Sequence, residues 1–462
     1  MKKSIKLIIM ALILTLSMTA LTACGSKDKA KEEGNSNIEI KTIDTKELSK
    51  NIGNDQWVIV DTRENDAFNG WKLDEVKRGG HIQGAVDFSA AWLDVDSKDK
   101  DNRLAEDLEA RGISAEKNVV LYDANGEDAK SVAEYLASKG YENLYTYDVK
   151  EWAVNDENDM EAYDNYEMLV PVSWVKDLVD GKKPETYEGN DFKVFEVSWG
   201  QESDSPDYLS KGHIPGAIHI NTDEVEEGPL WNRLSDEKLI EFAMANGITV
   251  DTTVVLYGAD TTPAARVATI LKYLGVKDVR LVNGGTNKWE VAGYELEKTS
   301  NVKVAVDSFG ADAPVNKDYI VDFEEAKAII SDKEESRLVD IRSWDEYIGK
   351  VSGYDYIEPK GRPAGAAWGH SGTDSSSLAD YRNIDNTMIN KDLILKMWAE
   401  YDITPDKNLS FYCGTGWRAA EVLIYADVMG LKNISLYDGG WNEWSGNTGN
   451  EPGTIETGEP QK

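Results

Sequence analysis

One pattern occurs three times along the 462 residues, and a repeat fixes the fold of every copy at once. Each copy opens with an apolar run holding an acid at its end: Trp57 to Asp61, Lys193 to Val197 with Glu196, and Arg337 to Asp340. A turn follows in which a glycine and three further residues lead to Gly-Ala: Gly80 to Ala85, Gly212 to Ala217 and Gly361 to Ala366. A second apolar run then ends on Tyr122, Tyr257 or Tyr412, which lie 61, 61 and 72 residues beyond the acid, so the third copy carries an insertion. Alanine-rich stretches such as Ala264 to Leu274 and Ala419 to Met429 come next, with Gly140, Gly275 or Gly430 where a helix would end. A third run leads to Trp152, Trp289 or Trp444. Nearly continuous apolar strands alternating with helices predict an α/β domain per copy, each a parallel sheet with helices on both faces. The expected domains span residues 38–165, 166–300 and 316–462.

The first residues read differently. Lys2, Lys3 and Lys6 precede an apolar run from Leu7 to Leu21, then Thr22, Ala23 and Cys24. A positive start, a short apolar stretch and small residues before a cleavage point make residues 1–23 an expected signal peptide. Cysteine directly after Leu-Thr-Ala resembles the bacterial lipobox, which implies a lipid on Cys24 and an exported chain anchored to the outer face of the cell membrane. Residues 24–37 hold almost no apolar side chain and read as a flexible tether.

Fifty Lys and Arg against 84 Asp and Glu give a formal charge of −34. Such acidity excludes nucleic acid as an expected partner and leaves the lipid on Cys24 as the only expected membrane contact. With Cys24 lipidated, Cys413 is the single free thiol, so no disulfide framework is available. Four scattered histidines beside one thiol give no metal-ligand spacing, and no metal is expected.

Cys413 opens a loop of unusual composition: Gly414, Thr415, Gly416, Trp417 and Arg418, followed by Ala419 at the start of a helical stretch. That loop stands at the carboxyl end of a strand, where open α/β sheets keep their sites. Its glycines let backbone N–H groups turn toward the sulfur, and the helix adds its positive end. Both effects favour thiolate over thiol, and both stabilise a terminal sulfur carried on it. A merely packed cysteine needs no such loop. The matching positions in copies one and two are Asp123 and Gly258, so both are expected to be non-catalytic domains that shape the cleft or bind a partner.

The order of strand, acid, Gly-His-Ile-Pro-Gly-Ala turn (Gly212 to Ala217), strand and cysteine loop resembles the rhodanese family, over nearly the whole mature chain. Three copies with a cysteine only in the last resemble the three-domain exported bacterial thiosulfate sulfurtransferases. The resemblance implies a double displacement without cofactor: Cys413 attacks the outer sulfur of thiosulfate or a related donor, sulfite leaves, and the persulfide passes its sulfur to a thiol or cyanide.

Arg418 is read as a loop brace paired with an acid such as Asp340, with anion binding as the other role. Asp340 and Arg342 share the Asp-x-Arg pattern of Asp61 and Arg63 and are taken as structural. The insertion in copy three, residues 349–385, supplies Arg362, Trp368, His370 and Arg382, and Arg362, His370 and Arg382 are the candidates to contact an anionic donor. His81 and His213 are read as turn residues, and Trp417 as a pocket wall or a domain-interface residue. Two alternatives stand beside the enzyme: a surface scaffold of three such domains, and a cell-cycle-type phosphatase or arsenate reductase. The second needs five residues between Cys and Arg to cradle a tetrahedral oxyanion, and here four separate Cys413 from Arg418. No protein partner is legible.

Overall fold

The computed structural model describes residues 39–460. The expected signal peptide, the tether and Cys24 lie outside the described residues. No helix among the described residues is long and apolar enough to cross a membrane.

Each copy builds one five-stranded parallel sheet with the same order. In the first domain the strands run across the sheet as Lys41–Thr42, Leu144–Asp148, Asn118–Asp123, Trp57–Asp61 and Val86–Asp87. In the second they run Leu169–Val170, Asp278–Val282, Thr253–Tyr257, Phe192–Ser198 and Ile218–Asn221. The third repeats the order with Ile320–Val321, Ile434–Tyr437, Asn408–Tyr412, Ser336–Asp340 and Ala367–Trp368. Central strands such as Thr253–Tyr257 are buried along their whole length because helices cover both faces.

The repeated residues hold the repeated turns. Tyr122 receives the amide of Ile82 and bonds Asp61, while Arg63 clamps Asp61 and reaches the Gly80 carbonyl at 2.7 Å. The third domain repeats this set, with Tyr412 on Asp340 and Arg342 spanning Asp340 and the Gly361 carbonyl at 2.9 Å. Trp152, Trp289 and Trp444 are buried, and each donates its indole N–H to a main-chain carbonyl at 3.0 Å, those of Asp159, Glu295 and Thr454. His81 and His213 stack on Phe68 and Tyr208 and bond their carbonyls, which fixes the turn.

Helix Thr261–Leu274 of the second domain lies against helix Trp417–Val428 of the third. Nearly every residue of both is buried, the charged Arg266, Arg418 and Glu421 as ion pairs, and one hydrophobic core runs through the two domains. Gly275 ends the first of these helices in the left-handed conformation at φ 106°.

Candidate active site

Asn408–Tyr412 delivers Cys413 to the carboxyl end of the third sheet. The thiol is buried at 1% exposure and forms the floor of a cleft of about 430 Å³. Gly416 is the N-cap of helix Trp417–Val428 at φ +100°, a conformation glycine adopts without strain, and there its N–H donates to Sγ at 3.3 Å. The Cys413 and Gly414 carbonyls accept from Trp441 and Asn442 at 2.8 and 3.0 Å, so the loop is held from behind. An amide and a helix N-terminus aimed at one sulfur suit the negative charge of a second sulfur bonded to it.

Arg418 points back into the protein. It forms a two-pronged pair with Glu346 at 3.0 and 3.1 Å, touches Ser371 Oγ at 3.2 Å, and donates to the Tyr354 hydroxyl at 2.7 Å. Its partner is therefore Glu346, in the short helix Trp344–Tyr347, and not Asp340, which Arg342 and Tyr412 already occupy. Burial works against both charges of the pair, yet the pairing outweighs it: Glu346 stays below the usual carboxylate range and Arg418 well above the usual guanidinium one.

The three expected anion contacts need correction, because both arginines already have carboxylate partners and the histidine is buried without charge. Arg362 pairs with Glu456 at 2.9 Å and holds the carbonyls of Tyr347 and Gly458, away from the cleft. Arg382 pairs with Glu421 of the loop helix and crosses to Asp260 of the second domain at 2.8 Å, tying the two domains together. His370 stacks on Trp368 at 3.7 Å, and burial pushes its imidazole down to about 4, so it carries no charge at neutral pH. Trp368 itself donates to the Arg342 carbonyl.

What lines the cleft is aromatic. Tyr354 lies so close over Gly414 that a Cβ there would come within 2.4 Å of its ring and hydroxyl, and Tyr356 stands beside it. Trp417 forms one wall, and Thr415, Ser375 and Ser376 add hydroxyls. The second domain supplies the opposite side: Trp199 on the rim, Trp231, Thr262, Asp260 and Glu226. Trp417 is thus both pocket wall and interface residue, since its indole N–H donates to Glu226 at 2.7 Å. Among the described residues that line the cleft, Arg418 is the one cation, and its charge is matched by Glu346. Sequence reasoning singled out none of Tyr354, Tyr356, Glu226, Trp231 and Trp199; the extra length of the third copy, within which the two tyrosines lie, was the one available signal.

The two nucleophile-free loops are closed by other means. Asp123 caps its own helix by accepting the Ala129 N–H at 2.9 Å. At Gly258 a Cβ would meet the Val197 and Asp260 carbonyl oxygens at 2.7 Å, leaving no room for a side chain.

The family model described as "Rhodanese-like domain" matches residues 44–153, 167–292 and 322–447. The chain belongs to the rhodanese-like sulfurtransferases. This sulfurtransferase is 41% identical over 400 residues to "Thiosulfate sulfurtransferase YnjE" of Escherichia coli, covering 86% of the chain and 89% of that relative. It is also similar to a solved anaerobic ergothioneine biosynthesis enzyme from Chlorobium limicola in complex with its natural substrate, trimethyl histidine. That likeness has a TM-score of 0.84 at 38% identity and covers 91% of this chain and 100% of that one. A further similar structure, with the same TM-score, identity and coverage, is a variant of EanB bearing a cysteine persulfide, in a tetrahedral intermediate state with ergothioneine. The likeness to these relatives makes the chain an enzyme of sulfur transfer in which a small molecule gives the sulfur and another takes it.

Proposed function

We propose that Cys413 is the sulfur carrier. Its thiolate attacks the outer sulfur of thiosulfate; the S–S bond of the donor breaks, sulfite leaves with the electron pair, and a Cys413 persulfide forms. A nucleophilic acceptor such as cyanide or a thiol then takes the outer sulfur, and the Cys413 thiolate departs and is regenerated. One observation carries this reading: the only thiol among the described residues lies on the cleft floor with the Gly416 amide on its sulfur. Tight packing of the rest of the loop, with Tyr354 over Gly414, keeps bulk water off the persulfide. Ping-pong kinetics with thiosulfate and cyanide are expected, and a sequential pattern without a sulfur-loaded enzyme would contradict it.

The cleft favours a particular kind of acceptor. Five aromatic rings, the carboxylates of Glu226 and Asp260 and a single, already neutralised arginine suit an acceptor that joins a flat ring to a cationic group. Trimethyl histidine, the ligand named for the similar Chlorobium limicola enzyme, has a flat imidazole and a quaternary ammonium, with a carboxylate that makes the whole molecule a zwitterion. Sulfur would move from the persulfide to a ring carbon, whose hydrogen ends on sulfur, and Cys413 returns as a thiol. Incubating the loaded enzyme with trimethyl histidine and with histidine separates the cases. Thiolated product from the quaternary amine alone supports the cationic acceptor, and discharge only by cyanide and thiols defeats it.

The chain works, on this account, at the outer membrane face, tethered through Cys24. Replacing Cys24→Ala should move the protein from the membrane to the soluble fraction of the cells; retention in the membrane would refute the anchor.

A further inference from the structure

We infer that the buried Glu226–Arg266 pair of the second domain positions the sulfur site, so that a domain without a nucleophile governs how fast Cys413 hands its sulfur on. The inference rests on Cys413 being the carrier proposed above.

Glu226 begins a two-stranded hairpin, Glu226–Glu227 with Asn232–Arg233, whose tip is gripped by the third domain. Asn442 donates to the Pro229 and Leu230 carbonyls at 3.0 Å, and the Arg233 N–H donates to Asp438 at 2.7 Å. So anchored, the two carboxylate oxygens of Glu226 are divided between two donors. One accepts the Trp417 indole N–H at 2.7 Å, and the other accepts Arg266 Nε at 3.1 Å.

Arg266 comes from the helix Thr261–Leu274 and is fully buried. Its Nη1 reaches Asp438 at 2.5 Å, and it lies directly beneath the cysteine loop: a Cβ on Gly416 would stand 2.9 Å from the same Nη1. The Gly416 amide is the one that meets Sγ. From one carboxylate, then, two contacts run toward the cysteine loop, one to the Trp417 wall of the cleft and one to the guanidinium packed against Gly416. A pair serving only to join the domains has no need to face the cleft or to hold its wall residue, and Glu226 does both.

Two carboxylates share one guanidinium here, and burial pushes Glu226 up to about 7 against the pull of Arg266. The groups facing it are Arg266 from its own domain and, from the third, Trp417, Asp438 and Tyr356. Ionised, Glu226 accepts from both donors. A proton on either oxygen removes one acceptor and frees either the indole or the guanidinium.

The test uses the mature chain loaded with thiosulfate, or with inorganic polysulfide, then freed of donor and mixed with cyanide. Persulfide on Cys413 is followed by intact mass against pH. Glu226→Gln should still reach a sulfur-loaded state, at whatever rate, but discharge roughly tenfold to a hundredfold more slowly, as misplacement of a reacting group does. The wild-type rise in discharge near neutral pH should vanish in Glu226→Gln and persist in Glu226→Asp. Trp417→Phe, which keeps the ring and deletes the N–H, should also slow discharge, and combining it with Glu226→Gln should add little. Equal rates and equal pH profiles for wild type and Glu226→Gln would overturn the inference alone. If Glu226→Gln does not fold, a wild-type discharge rate in Trp417→Phe overturns it. A wild-type chain that takes up no sulfur defeats the carrier reading, and this inference with it.

Discussion

Arg418 shows how a residue's role follows from its surroundings. Beside an anion-binding cysteine it invites a substrate contact, yet it is spent on Glu346, a carboxylate with no exposed side-chain surface. Removing one member of a buried pair leaves the other charged and uncompensated, which costs about 3–5 kcal/mol. Arg418→Ala should lower unfolding stability by that order in denaturant titrations, and Arg418→Lys should recover only part, because an ammonium cannot make the two-pronged contact. A stability loss under about 1 kcal/mol for Arg418→Ala, the size of a surface pair, would refute the brace. The same reasoning explains Arg362 and Arg382, whose guanidinium groups are occupied by Glu456 and Glu421. For these three arginines the acid is decided by tertiary placement tens of residues away, unlike Arg63 and Arg342, which meet the acid two residues back.

At the scale of elements, what was legible was what the chain encodes locally. Continuous apolar strands, the glycine turns and the Tyr412-to-Cys413 junction each announce themselves over a few residues, and all three sheets have the parallel, doubly covered form those runs imply. The cysteine loop was legible for the same reason, since its glycines are adjacent to the helix they introduce. Tyr354 and Tyr356 were not, because the insertion has no periodicity to assign a face, and Trp231 and Glu226 reach the cleft on a hairpin from another domain. The start of the loop helix is the element most sensitive to change. Gly416→Ala puts a Cβ both into a left-handed conformation, costing roughly 1–2 kcal/mol, and against Arg266. Sulfur uptake measured by stopped-time mass analysis should fall at least about tenfold, as displacement of a group aimed at a reacting atom does. Uptake at the wild-type rate would mean that the Gly416 amide is not needed at the sulfur.

Across the whole molecule the three domains meet around one polar joint. Asn283 donates to Asn65 at 3.0 Å and to Asp66 at 2.8 Å, and its carbonyl receives the Met388 N–H, so a second-domain side chain touches both neighbours. Lys288 stands between Glu64 and Asp385. Burial, with Glu64 adding to it, pushes Asp66 up to about 7. A carboxyl raised in the folded state contributes stability that is complete below its unfolded value near 4 and is lost as pH rises through about 7. Asp66→Asn, which keeps the oxygen that Asn283 needs, should therefore flatten the dependence of Tm on pH between 4 and 7 and raise Tm above it; an unchanged profile would contradict the assignment. The joint and the Glu226 hairpin give the domains without a nucleophile a physical reason to stay attached to the third, and the second of them helps to enclose its thiol. The central claim is that this thiol carries a second sulfur. It is tested most directly by intact mass of the protein after exposure to thiosulfate, beside Cys413→Ala. Gain of one sulfur atom on the wild type, its removal by cyanide and its absence from the variant are the expected result; no gain on the wild type, or the same gain on Cys413→Ala, would contradict it.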